Sequence, residues 1–205
     1  MSTVQFDDDG SVAKWNKKLV IVGDGQCGKT SLLMVQSGQP FPEKYIPTVF
    51  ENYISRIPLK RNKIVELSLW DTAGQEEYDR LRPLSYPDTD VVIMAYDITD
   101  RNTLIHINEK WQHEMRHFLA NTPKILCGTK LDLRNNDNND VSNNKYVTYD
   151  EGSALATKLG CIKFLECSAK TGENVQDLFN LAAKLAVKGP ASSKKLKNVQ
   201  NCLFM

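Results

Sequence analysis

Six short runs of apolar, β-favouring residues punctuate the chain. Residues 18–23 (KLVIVG), 90–96 (DVVIMAY) and 123–128 (PKILCG) are apolar almost without interruption. A strand covered on both faces reads this way, as in a parallel sheet between layers of helices. Residues 64–70 (IVELSLW) alternate, which predicts a strand with one polar face. Residues 162–167 (IKFLEC) form the last strand, and 53–61 add one whose Pro58 belongs at a sheet edge. Between these runs the period becomes helical. Leu104, Ile107, Trp111, Met115 and Phe118 share one stripe, and Val175, Leu178, Phe179, Ala182 and Leu185 another. A helix opens at 31–35 (SLLMV), and a shorter one at 148–159 is weakened by Gly152. Alternating strands and helices predict an α/β fold: a doubly wound, mostly parallel six-stranded sheet with helices on both faces. Ligands bind such a sheet at the carboxyl ends of its strands.

Three segments depart from this pattern. Residues 1–16 are an acidic extension carrying Asp7, Asp8 and Asp9, expected to be mobile. Residues 135–144 (NNDNNDVSNN) predict a polar loop. Residues 189–205, with Pro190, Ser192, Ser193 and several lysines, predict a flexible tail. One compact domain is therefore expected over 17–188. Composition changes the picture only by exclusion. The 205 residues carry a net charge of +1, without the basic surplus of a nucleic-acid binder. No apolar run approaches the roughly 18 residues of a membrane span. The acidic start does not resemble a secretory signal. The five cysteines have no paired spacing and read as reduced thiols of a cytosolic protein.

The chemistry begins where the first strand meets the first helix. Gly23-Asp24-Gly25-Gln26-Cys27-Gly28-Lys29-Thr30 matches G-x-x-x-x-G-K-[ST] in its required context. Backbone N–H groups of such a loop curl around α and β phosphates, and the helix N-terminus adds a positive dipole end. Lys29 would reach the β and γ phosphates, and Thr30 would ligate Mg²⁺. Alone, this motif says nucleoside triphosphate without saying which. Asp71-Thr-Ala-Gly74-Gln75 follows another strand. Asp71 can hold Mg²⁺ through water, Gly74 can offer an N–H to the γ-phosphate, and Gln75 can orient the attacking water. Lys29, Gly74 and Gln75 are thus the candidate catalytic groups.

The base is read elsewhere. Thr129-Lys130-Leu-Asp132 follows the fifth run. A carboxylate at Asp132 accepts from guanine N1–H and its 2-amino group, donors that adenine lacks, so discrimination is steep. The stem of Lys130 can pack along the base. Ser168-Ala169-Lys170 follows the last strand, where the Ala169 N–H can reach guanine O6.

Taken in order, GDGQCGKT, Thr48 in YIPTVFENY, DTAGQ, TKLD and CSAK resemble the five motifs of Ras-superfamily GTPases. The longer stretches FPEKYIPTVFENY and DTAGQEEYDRLRPLSYPDTD resemble the Rho family, and TKLDLR its Rac branch. The resemblance covers 17–187 and the last four residues. It implies a P-loop GTPase fold and a molecular switch that hydrolyses GTP. It implies that Thr48 ligates Mg²⁺ together with Thr30 and Asp71, and that Phe41 packs near the guanine. It also implies that Tyr45 covers the phosphates and that Ser31 and Leu133 join the nucleotide-binding set. Residues 41–53 and 71–87 would be the two switches, and a side chain at Gly25 would crowd Gln75. Implied partners are exchange factors, GTPase-activating proteins, dissociation inhibitors and effectors acting on the actin cytoskeleton, for a protein that is itself a monomer.

Two departures follow. Thr129 stands where most small GTPases have Asn, so one tether to the Gly-rich loop is expected to be weaker. The Asn-rich 135–144 predicts that the charged insert helix of Rho proteins is missing or reduced to a loop. No arginine occupies a motif position, so intrinsic turnover is expected on the order of 10⁻⁴ to 10⁻³ s⁻¹, rising several decades when an activating protein supplies one.

At the end of the chain, Cys202-Leu-Phe-Met205 fits a C-a-a-X prenylation signal. Met favours farnesyl, while the Leu of most Rho-like relatives goes with geranylgeranyl. With Lys194, Lys195 and Lys197 nearby, this predicts peripheral attachment to the cytoplasmic face of a membrane, the plasma membrane first.

Other readings compete. His113-Glu-Met-Arg-His117 matches the H-E-x-x-H pattern of zinc hydrolases, but His106 is the only other histidine, so no third histidine ligand lies downstream. Asp137 to Asp140 lacks the Gly and Glu of a calcium loop. Cys27 reads as a small filler or, if the loop lowers its pKa, as a redox-sensitive thiol. A GTP-locked scaffold would not need Gly25 and Gln75, and a P-loop kinase would not explain DTAGQ, TKLD and CSAK together.

Overall fold

The computed structural model describes residues 13–44, 47–59, 63–135 and 145–189. All six expected strands form: β1 Ala13–Val22, β2 Phe50–Leu59, β3 Lys63–Thr72, β4 Val91–Asp97, β5 Lys124–Thr129 and β6 Lys163–Glu166. They make one sheet in the order β2-β3-β1-β4-β5-β6. Every pairing is parallel except β2 with β3. Pro58 lies on β2, an edge strand, where a missing N–H is tolerated. The helices are α1 Lys29–Gln36, α2 Arg101–His106, α3 Gln112–Phe118, α4 Leu131–Asn135, α5 Tyr149–Leu159 and α6 Val175–Lys188. A π-helical turn, Ile107–Trp111, joins α2 to α3.

The continuous apolar strands are explained by two cores. Leu19 and Ile21 of β1 face α1 and α6, packing with Leu32, Leu33, Leu178 and Phe179. Val20 and Val22 face the other way, toward Ile107, Trp111, Met115 and Ala156. Successive strand side chains point to opposite faces, so a sheet covered on both sides needs apolar residues at every position.

Three details differ from the expectations. First, β1 begins at Ala13, ahead of the expected domain start. Its first residues pair with Lys63 to Leu67 of β3, Trp15 packs against the core, and Lys14 reaches Glu66 at 3.0 Å. Second, Phe118 is exposed and Leu119 is buried in its stead. A π turn is wider than an α turn, so the buried positions run Ile107, Trp111, Met115, Leu119 in steps of four. Third, Gly152 is a close-approach site. A Cβ there would lie 2.4 Å from both Phe164 Cζ and the Tyr96 hydroxyl, while a Thr148–Glu151 capping box secures the start of α5. The expectations for 1–12, for the insert over 136–144 and for the tail beyond Gly189 lie outside the described residues.

Candidate functional site

Between β1 and α1 the chain turns through left-handed backbone at Gln26 (φ 63°) and Gly28 (φ 91°). The turn is tied from several directions. The buried Lys29 Nζ donates to the carbonyls of Gly23 at 2.8 Å and Asp24 at 2.7 Å. Thr129 Oγ1 lies 2.6 Å from the Cys27 carbonyl and 2.9 Å from that of Tyr96. The threonine therefore reaches the loop through its one hydroxyl. The Asp24 carboxylate accepts from His106 Nδ1 at 2.6 Å and from Trp111 Nε1 at 2.7 Å. Cys27 is buried, with its Sγ 3.4 Å from the Ala95 carbonyl. Burial pushes its thiol up, the opposite of an activated thiolate, so it packs as a filler.

Three oxygen donors from separate segments meet beside Lys29. Thr30 Oγ1 donates to Asp71 Oδ2 at 2.6 Å and lies 2.9 Å from Thr48 Oγ1. Asp71 is fully buried, and its Oδ1 has no hydrogen-bond partner among the described residues. Burial pushes its carboxyl up, with the Thr30 hydrogen bond and the Lys29 charge pulling the other way. An orphaned carboxylate oxygen beside two hydroxyls is a hard-donor set of the kind Mg²⁺ takes, so these residues fit that ion. Thr30 and Thr48 line a cleft of about 620 Å³, together with Lys29, Gly74, Gln75 and Lys130.

The segment after β3 lies against the loop. A Cβ on Gly74 would sit 2.3 Å from Asp24 C and Gly25 N, so only glycine permits this approach. A Cβ on Gly25 would lie 3.6 Å from Gln75 Cγ, so a branched side chain there would run into Gln75. Arg82, buried and absent from the sequence-derived set, organises this segment. Its Nε donates to the Ala73 carbonyl at 2.7 Å, Nη2 to the Gln75 carbonyl at 3.1 Å and to Asp79 at 2.6 Å, and Nη1 to Glu114 at 2.9 Å. Burial by itself would lower the guanidinium, but Glu114 and Asp79 outweigh it and hold it up. Glu114 also accepts from the Tyr86 hydroxyl. The H-E-x-x-H pattern is thereby accounted for: its glutamate is turned inward onto Arg82, and His113 and His117 are exposed.

The base-reading candidates gather at the ends of β5 and β6. Ser168 Oγ donates to Asp132 Oδ1 at 2.7 Å, and both are buried. Lys130 Nζ pairs with Asp97 Oδ2 at 2.5 Å. Ala169 is half-buried and Lys170 exposed, while Leu133 and Phe41 are 42% and 39% exposed. Of this group Lys130 lines the cleft, and Asp132, Ser168, Ala169 and Lys170 are not part of its wall. Tyr45 lies outside the described residues. No local pattern connects Asp24 to His106 and Trp111, which are 82 and 87 positions away. The apolar stripe identified Trp111 as core and said nothing of its N–H.

A sequence model of the Ras family matches residues 18–188. The chain is also 47% identical over 195 residues to GTP-binding protein rho5 of Schizosaccharomyces pombe, covering 92% of this chain and 97% of that protein. Motifs, sheet order and relatives agree, and the chain belongs to the Rho family of Ras-superfamily small GTPases, guanine-nucleotide switches that hydrolyse GTP.

Proposed function

We propose that GTP binds with its phosphates in the loop from Gly23 to Thr30 and its guanine against Asp132, and that Thr30, Thr48 and Asp71 hold Mg²⁺. The convergence of those three side chains, 18 and 41 positions apart, beside the Lys29 ammonium carries this reading. Mg²⁺ held there would supply positive charge to offset that of the phosphates. Lys29 faces the β and γ phosphates with a fixed positive charge. The Gly74 N–H donates to the γ-phosphate, and the Gln75 amide orients the water for in-line attack. Asp132, held by Ser168, accepts from guanine N1–H and the 2-amino group. Phe41, Lys130 and Ala169 complete the base site, with Ser31, Thr129, Leu133, Lys170 and Tyr45 around it and the phosphates.

Arg82 is the arginine nearest Gln75 in this network, but its nitrogens are spent on carbonyls and carboxylates. It therefore does not serve as a cis stabiliser of the transferring phosphoryl group, and an arginine from a GTPase-activating protein fits the need. Exchange factors, dissociation inhibitors and effectors of the Rho type, control of the actin cytoskeleton, and anchoring of a prenylated Cys202 at the cytoplasmic face of a membrane belong to the same proposal. Among the described residues no helix is long and apolar enough to cross a membrane.

Single-turnover phosphate release from protein loaded with GTP or ATP, with and without Mg²⁺, tests the site. Release from GTP alone, dependent on Mg²⁺ and slowed about 100-fold in Gln75→Leu, is expected. Equal turnover of ATP would remove Asp132 from the base site. An unchanged rate in Gln75→Leu would remove Gln75 from the chemistry.

A further inference from the structure

The π turn between α2 and α3 has a consequence for the phosphate loop. Residues five apart diverge by about 140° around an α-helix, so His106 and Trp111 would not converge on one target from an ordinary helix. A π turn closes its bonds from i to i+5, which brings two such residues onto one face. Both then reach the same carboxylate: His106 Nδ1 donates to Asp24 Oδ2 at 2.6 Å, and Trp111 Nε1 to Asp24 Oδ1 at 2.7 Å. A π turn is a rare conformation that persists where surrounding contacts over-determine it. Here those contacts lead to the nucleotide site.

We propose that His106 and Trp111 are positioning residues of the nucleotide site, which hold the phosphate loop by fixing Asp24 and couple it to the second switch. The Asp24 carbonyl is one of the two seats of Lys29, and Gly74 approaches that same peptide so closely that no Cβ would fit. Clamping the carboxylate fixes the peptide on which both rest. The other side of the coupling is the Trp111 ring, whose centroid lies 4.5 Å from the Arg82 guanidinium carbon. Arg82 in turn holds the carbonyls of Ala73 and Gln75. One indole thus gives its N–H to the loop and its face to the cation that secures the second switch.

This inference rests on the reading that the nucleotide phosphates sit against the loop. The test is release of a fluorescent GDP analogue from the full chain, chased with excess GDP in Mg²⁺. His106→Ala and Trp111→Phe are each expected to release the analogue about tenfold faster, as loss of one hydrogen bond to a carboxylate implies. The double variant is expected to fall short of the product of the two, because both act through Asp24. His106→Asn is the discriminating variant. Its amide nitrogen stands as many bonds from the backbone as Nδ1, so it should return release toward the parent rate. Helix propensity alone predicts the reverse order, since Ala favours a helix more than Asn does. His106 is exposed, so its substitutions leave the core intact, whereas Trp111 is buried and its variant is read only beside them. Parental release by His106→Ala, or His106→Asn no slower than His106→Ala, would overturn the positioning role alone. A parent protein that retains no GDP would overturn the nucleotide reading of the loop as well.

Discussion

The two segments that face the phosphate loop are held very differently. Among the described residues of the first, between α1 and β2, Thr48 lies 2.9 Å from the Thr30 hydroxyl at the end of the loop, while Phe41 and Val49 are exposed. The second, after β3, is stitched down by a buried arginine with bonds to two backbone carbonyls and two carboxylates. A segment held by partly exposed hydroxyl contacts has a low free energy of local opening, whereas one anchored by a buried cation opens only with disruption of the core. A switch needs both kinds. On the proposed assignment of the site, the first would respond to what occupies the metal and phosphate positions, and the second would keep Gln75 close to its working geometry.

Arg82→Ala is the most forceful way to break this contrast. It leaves the Glu114 carboxylate and the carbonyls of Ala73 and Gln75 without their cation, at a cost of about 3–5 kcal/mol. The melting temperature of the GDP-bound protein should fall by about 10 °C. A drop of only a degree or two would mean the second segment is not anchored there.

Thr48→Ala is expected to do the opposite. Stability should change by less than about 0.5 kcal/mol, since Thr48 is a half-buried loop residue outside both cores. The Mg²⁺ concentration that half-saturates phosphate release from GTP should rise about tenfold. A large loss of stability with unchanged Mg²⁺ dependence would reverse the roles assigned to the two segments.

The smallest effect gauges an exposed tether far from both. Glu151 is held well below its usual range, to about 2, by the Arg101 hydrogen bond first and then by the Thr148 backbone N–H. A depressed carboxyl stabilises the fold fully above its unfolded pKa near 4.5, and that contribution fades as pH falls toward 2. The side chain is 41% exposed, so solvent limits the contribution to under about 1 kcal/mol. Urea titrations should show Glu151→Gln less stable than the parent at pH 7 and the gap narrowing below pH 4.5. A gap that widens on acidification would contradict the sign.

Chemistry carried by contiguous residues could be read from the chain directly. A loop that cradles phosphates needs glycines, a lysine and a threonine in unbroken order, because neighbouring backbone N–H groups do the binding. Strands buried on both faces need apolar residues at every position, and that requirement made β1, β4 and β5 unmistakable. Gly152 misled for the same reason that propensity often does. Intrinsic preference marks it as a weak helix residue, whereas the close approach of Phe164 and Tyr96 is what demands it. At 129, where a weaker tether than that of Asn is expected, the sequence could not show that the threonine hydroxyl reaches the Cys27 carbonyl.

By itself, then, the sequence determined the six strands, the Gly-rich loop between β1 and α1, the order of the motifs and the family, since each depends on residues adjacent in the chain or on a regular period. Tertiary structure alone decided that Thr30, Thr48 and Asp71 share a point, that Arg82 holds Gln75, and that His106 and Trp111 clasp Asp24. These are contacts between groups brought together by sheet order and by one π turn. No spacing along the chain encodes the distance between two side chains that only the folded sheet makes neighbours.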